Sequence, residues 1–225
     1  MESRRIVILL FTMLLLFIGL TVLVITESVQ VQTFNETLYA PVASQIHPTW
    51  TTIAIVIGHL THWYSYAPII LVLLIIPSTR KRVGLPMAFT LSASAMLGPI
   101  ILKNIFAIER PIANQLIEIG GFGYPSGHSL NALVFFSMCA IMVLRYSNNE
   151  TARKVAPVPA VIAILLVGLS RVYLGVHTIT DVLGGFLMGS VVVCASVLIE
   201  RRVRGGNIVT DVKQNNDVIC DVEVE

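Results

Sequence analysis

The stretch SRVYLGVHTITD, from Ser170 to Asp181, sets Ser170, Arg171, His177 and Asp181 between two long apolar runs, VPAVIAILLVGL before it and VLGGFLMGSVVVCASVLI after it. The runs belong to segments of about 156–174 and 178–199, each close to the ~20 residues that carry a helix across the hydrocarbon core of a bilayer. Two such segments joined by a short polar connection read as a membrane hairpin. Ionisable side chains beside the hydrocarbon are costly, so an arginine, a histidine and an aspartate gathered there mark a working site rather than filler.

The rest of the chain agrees with a membrane protein. Of its 225 residues, 55% are hydrophobic and 12% charged, and the mean hydropathy is +0.81. Soluble domains carry about 25% charged residues. Four further apolar segments, at about 6–26, 53–77, 83–103 and 127–146, bring the expected spans to six. The second is the least regular, because Gly58, His59, Thr61, His62 and Ser65 make its first half polar. The first follows Arg4 and Arg5, and TESVQVQTF after it offers no cleavage site, so a retained anchor helix is expected instead of a signal peptide. One all-α domain is expected over 1–199. The polar tail, 200–225, is expected to be disordered. Cys139, Cys194 and Cys220 cannot build a disulfide framework, and no pair has metal-ligand spacing. The net charge of +2 gives no case for a nucleic-acid partner.

The placement of charge says more than its sum. With six spans, Arg4, Arg5, Arg80, Lys81, Arg82, Arg145, Arg153, Lys154, Arg201, Arg202, Arg204 and Lys213 fall on one side, which makes twelve of the fifteen lysines and arginines. By the positive-inside rule that side is cytoplasmic, and so are both termini. Lys103, Arg110 and Arg171 are the exceptions, and all three fall at the other face.

Three stretches meet at that face: KNIFAIERP (Lys103–Pro111) at the exit of the third span, YPSGHS (Tyr124–Ser129) at the entry to the fourth, and the opening stretch between the fifth and sixth. Three cations without a matching excess of acid suit a phosphate dianion, and arginine adds paired planar donors. Pro125 and Gly127 set a turn just before an apolar helix, whose free N–H groups, with the Ser126 hydroxyl, form an anion cradle. His128 comes with the same turn. His177 and Asp181 stand four apart and would share a helix face, where the carboxylate fixes the imidazole tautomer and leaves the far ring nitrogen free to attack. Taken singly, each feature reads as an anchor, a turn or a filler. Their convergence at one face is what carries the functional reading.

The pattern Lys-x6-Arg-Pro, Pro-Ser-Gly-His and Ser-Arg-x5-His-x3-Asp resembles the type 2 phosphatidic acid phosphatase superfamily, which also includes vanadium haloperoxidases and glucose-6-phosphatase. All eleven specified positions are present: Lys103, Arg110, Pro111, Pro125, Ser126, Gly127, His128, Ser170, Arg171, His177 and Asp181. The resemblance implies that His177 is the nucleophile and forms a phosphohistidine, that Asp181 orients it, and that His128 is the general acid. It further implies that Lys103, Arg110, Ser126, the Gly127 amide and Arg171 hold the phosphoryl oxygens, with no metal and no other cofactor. Such roles fit phosphoryl transfer, which needs mainly positioning and charge stabilisation.

One position departs from the pattern. Relatives often carry a second Arg-Pro just before the first motif's Arg-Pro, where this chain has Ile108 and Glu109, and Glu109 is placed to pair with Arg110 or to trim the positive field. His59 and His62 lack a third metal ligand nearby and read as part of an interfacial belt with Trp63, Tyr64 and Tyr66, or as lining of the lipid's access path. Residues 27–50 read as a long outer loop, lying on the membrane or capping the site. Asn35 and Asn149 each head an Asn-Glu-Thr glycosylation pattern, the second of them on the cytoplasmic side.

The expectation is therefore a polytopic all-α membrane protein of six transmembrane helices, with its pocket at the extracytoplasmic ends of helices 3 to 6, in the plasma membrane. The resemblance implies a phosphatase acting on a lipid phosphate or diphosphate of the phosphatidic acid, phosphatidylglycerophosphate or undecaprenyl diphosphate type, with membrane lipids as surroundings. Gly127, where carrier-dedicated relatives often have Asp, tilts this toward a glycerolipid or a broad range. A lipid phosphotransferase would share every catalytic residue. A non-enzymatic binding or transport protein for anionic lipids would explain the three cations but neither histidine.

Overall fold

The computed structural model describes residues 2–80, 84–110 and 115–222, apart from the side chains of Glu2, Trp63, Pro99 and 203–222. Among these residues the chain is helical throughout, with no strand. The helices are α1 (Glu2–Ile25), α2 (Val29–Ala43), α3 (Pro48–Leu60), α4 (Trp63–Ile75), the short α5 (Pro77–Thr79), α6 (Leu85–Met96), α7 (Lys103–Phe106), α8 (Gly127–Tyr146), α9 (Glu150–Val155), α10 (Pro157–Tyr173) and α11 (Ile179–Val222), with a π-helical turn (Leu97–Leu102) between α6 and α7. Five helical stretches are long and apolar enough to cross a membrane, and α3 with α4, bent by 42°, makes a sixth if counted as one broken span.

The spans lie close to those expected, with two differences. The second begins at Pro48 rather than near residue 53 and breaks at Thr61–His62. The polar residues that made it look irregular sit at this break, where Thr61 returns its hydroxyl to the Ile57 carbonyl at 2.7 Å. The expected outer loop contains α2, capped by Ser28, whose side chain accepts from the Val31 amide. The tail expectation concerns residues whose side chains mostly lie outside those described.

The central helix is α8. It packs against α6, α10 and α11, while α1 lies along α11. Its inward face, Leu130, Val134, Phe135 and Met138, joins Met87, Leu91 and Tyr66 in the core. Tyr66 is buried and stacks on Phe135 with 4.1 Å between ring centroids, so it belongs to the core and not to an interfacial belt. Outward faces stay apolar because lipid, not water, surrounds them. Arg145 near the end of α8 pairs with Glu200 on α11. Lys103, Ser126 and His177 lie at the opposite ends of spans three to six.

Candidate active site

The α10–α11 hairpin owes its geometry to backbone capping. α10 ends at Tyr173, and Gly175 takes φ +67°, a left-handed conformation that suits glycine and closes the helix with its N–H on the Val172 carbonyl at 2.9 Å. Thr178 then caps α11. Its hydroxyl accepts from the Asp181 amide at 3.2 Å, and Asp181 Oδ2 accepts from the Thr178 amide at 2.9 Å, a reciprocal capping box. His177 therefore precedes the helix instead of sharing a face of it. The capping carboxylate reaches it all the same, with Oδ2 3.3 Å from Nδ1. His177 is 3% exposed, and burial pushes its pKa down to about 4, the Asp181 hydrogen bond opposing. The ring is neutral at pH 7. With Nδ1–H on Asp181, Nε2 carries the lone pair.

That lone pair faces Arg110, whose Nη1 lies 3.2 Å from Nε2 and also donates to the Val176 carbonyl at 2.7 Å. Its Nε donates to the Gly121 carbonyl at 3.2 Å. No ion pair joins Arg110 to Glu109 among the described residues. Lys103 donates to the Phe122 carbonyl at 2.7 Å. Ala107, at φ +49°, ends α7 in the left-handed region and turns the chain from Lys103 toward Arg110. Pro111 lies outside the described residues. Ser126 caps α8, its hydroxyl accepting from Ser129, and its amide donates to the Asp181 carbonyl at 2.9 Å, so the Pro-Ser-Gly-His turn is bonded to the hairpin. Gly185 of α11 permits that approach, since a Cβ there would stand 2.5 Å from the Ser126 carbonyl oxygen.

His177, His128, Lys103, Arg110 and Gly127 all line one cavity of about 500 Å³, within the ~300–1,000 Å³ of small-molecule sites. Asp181 and Ser126 stand behind that wall. Arg171 is not among the lining residues. It is buried, donating from Nη2 to the Ala54 carbonyl at 2.6 Å and from Nε to Ser170 Oγ at 3.1 Å. Gly58 leaves it room, because a Cβ there would meet the guanidinium at 2.5 Å. Ser170 thus holds Arg171 while donating its own proton to the Val167 carbonyl. Ala95, Met96 and Ile100 give the cavity an apolar side, and Met96 and Ile100 are also exposed on the lipid-facing surface of the bundle.

Three residues outside the three motifs join the site, among them His62, which the sequence left between an interfacial belt and the lipid's access path. His62 lines the cavity and sets its ring edge-on to His128, centroids 5.5 Å apart. Asn131, one turn along α8 from His128, lines it too. Asn35 on α2 grips Thr180 twice, Nδ2 donating to Oγ1 at 3.0 Å and Oδ1 accepting from the amide at 3.1 Å, which engages the side chain a glycan would need. The Thr-x-x-Asp signature of Thr178–Asp181 was open to sequence reading. A contact spanning 145 residues was not. His59 bonds to Tyr64, and no group of three metal-ligating side chains occurs among the described residues.

Against this geometry, comparison with known proteins is specific. Over 108 residues the chain is 38% identical to phosphatidylglycerophosphatase B of Bacillus subtilis, covering 47% of this chain and 52% of that protein. Over 143 residues it is 34% identical to the undecaprenyl-diphosphatase of Sulfolobus acidocaldarius, covering 61% and 64%. The matches thus span about half to just under two thirds of those relatives. The crystal structure of a transmembrane PAP2-type phosphatidylglycerolphosphate phosphatase from Bacillus subtilis superposes with a TM-score of 0.78 at 26% identity, covering 86% of this chain and 96% of that one. Aquifex aeolicus LpxE shares the fold at a TM-score of 0.58 and 23% identity, covering 74% and 95%. The sequence profile of the PAP2 superfamily matches residues 49–204, so this integral membrane chain, with its three motifs at one end of the bundle, belongs to the PAP2 superfamily.

Proposed function

We propose that the protein is a membrane phosphatase that cleaves a lipid phosphate or diphosphate through a phosphohistidine at His177. The observation that carries this reading is the setting of His177, a neutral imidazole held at Nδ1 by Asp181 and met at Nε2 by Arg110, in a cavity shared with Lys103 and His128. In the free site Arg110 donates to the lone pair that would attack, so binding transfers its Nη1 to a phosphoryl oxygen and releases Nε2. Nε2 then bonds to phosphorus and the P–O bond to the leaving group breaks. The leaving oxygen keeps the electron pair and takes a proton from His128. Water attacks the phosphohistidine in turn, gives a proton back to His128, and the P–N bond breaks to release inorganic phosphate.

Lys103, Arg110 and the Gly127 amide, in the cavity wall, hold the phosphoryl oxygens. Ser126 supports them from behind, through its bonds to Ser129 and Asp181. Arg171 adds positive field from behind the wall and reaches the phosphate only by leaving the Ala54 carbonyl. The apolar side at Met96 and Ile100 suits an acyl or prenyl tail that stays in the bilayer while its headgroup enters. The twelve basic residues at the opposite side support an extracytoplasmic site in the plasma membrane. The relatives' names support phosphatidylglycerophosphate and undecaprenyl diphosphate among the candidate substrates.

Phosphate release from lipid phosphates in detergent micelles, with chelator present, tests the proposal. Wild type is expected to release phosphate and His177→Ala none above background. Release by the variant, or its abolition by chelator, would overturn the mechanism.

A further inference from the structure

The phosphoryl chemistry uses only part of the cavity wall. Thr61 and His62 at the α3–α4 break and Asn131 on α8 also line it. Asn131 is only 7% exposed, and among the described residues its Oδ1 accepts no hydrogen bond. A buried amide oxygen without a donor is rare in a folded protein and calls for a partner. Thr61 has already given its proton to the Ile57 carbonyl, so toward the cavity its hydroxyl can only accept. The wall therefore offers two acceptors. Arg110, one of the cavity's two fixed cations, is tied to the nucleophile's side, at Val176 and His177, and Lys103 is tied to Phe122.

This inference rests on the reading that His177 attacks and His128 protonates the leaving oxygen. In an in-line displacement the leaving group departs opposite the nucleophile, toward His128. Asn131 lies one helical turn from His128 on the same face, and the His62 ring packs against it. We propose that Thr61, His62 and Asn131 form a leaving-group subsite that selects a leaving group with a free hydroxyl beside the scissile oxygen, with Asn131 as the residue that reads the hydroxyl.

The chemistry is one of matching donors to acceptors. A free hydroxyl beside the scissile oxygen donates to Asn131 Oδ1 or Thr61 and accepts from the Asn131 amide N–H, whichever way the amide is turned. A second phosphate bound directly to the scissile oxygen can only accept, so it leaves the Asn131 oxygen unpartnered. A site built to bond a hydroxyl discriminates strongly against the analogue that lacks it.

The test compares three lipids with the same acyl chains on the purified full-length protein: phosphatidylglycerophosphate, its 2′-deoxy counterpart, and phosphatidic acid as a reference for the chemistry. Wild type is expected to prefer the hydroxylated lipid over the deoxy lipid by about tenfold or more in kcat/KM. In Asn131→Leu that ratio should fall toward one. Equal rates on the two lipids with wild type, while phosphatidic acid is hydrolysed, would overturn the subsite and leave the phosphatase reading standing. No release from any of the three would overturn the reading beneath it as well. If Asn131→Leu lowered both rates equally and kept the ratio, Asn131 would be a packing residue and the proposal would be wrong. The wild-type ratio decides the matter even where the variant fails to fold.

Discussion

The two walls of the cavity are built differently. On the nucleophile's side the side chains form a linked network: Asp181 accepts from Thr178 and faces His177, Arg110 bonds two carbonyls and His177, and Asn35 holds Thr180 from α2. On the opposite side Asn131 keeps an amide oxygen without a donor. A linked network holds one geometry, which suits a nucleophile that must meet phosphorus in line. Groups left unsatisfied take their partners from the ligand, which suits selection among substrates. The chemistry and the choice of substrate are thus divided between the two walls.

The division can be broken from the nucleophile's side first. Asp181→Asn should lower kcat by about 10³–10⁴-fold, because an amide no longer enforces the Nδ1–H tautomer, and steady-state kinetics on phosphatidic acid measure it. His128→Ala should cost about 10²–10³-fold. That deficit should shrink on a nitrophenyl phosphate, whose leaving oxygen needs no proton, and an equal deficit on both substrates would remove His128 from the leaving-group side.

Asn35→Ala should cost about tenfold, in kcat and not in KM, because it acts on His177 only through Thr180 and Asp181. Thr180→Ala added to it should cost little more, since coupled residues are not additive. The smallest effect is a displacement along the pH axis. His177 protonates near pH 4, so it keeps its lone pair at all higher pH, and the acid limb of kcat/KM, corrected for substrate ionisation, should lie near that value, with loss of the His128 proton setting the alkaline limb. An acid limb near 6.5, the ordinary value for histidine, would mean that His177 is not buried as described.

Much of this was legible in the sequence, and the reasons differ by residue. Charge sorting isolated Lys103, Arg110 and Arg171 because a bilayer penalises misplaced cations. The structure sets all three beside one end of spans three to six, although Arg171 turns to Ala54 instead of the cavity. Hydropathy located the spans, since their length answers to the membrane. It could not see the break at Thr61–His62, where a few polar residues within an apolar run leave span and kink alike in composition. Asn131 and Asn35 escaped, and His62 stayed between two readings, for a further reason: each acquires its meaning from a neighbour that only the packing of helices supplies.

The covalent intermediate tests the central claim most directly. A lipid carrying radiolabelled phosphate is mixed with excess protein and the reaction quenched in alkali within one turnover. Label stable to alkali and labile to acid should appear on the peptide that contains His177, at Nε2, and should chase to free phosphate when unlabelled lipid is added. In His177→Ala it should be absent. Turnover by wild type with no labelled protein at any time, or label on a peptide without His177, would contradict it.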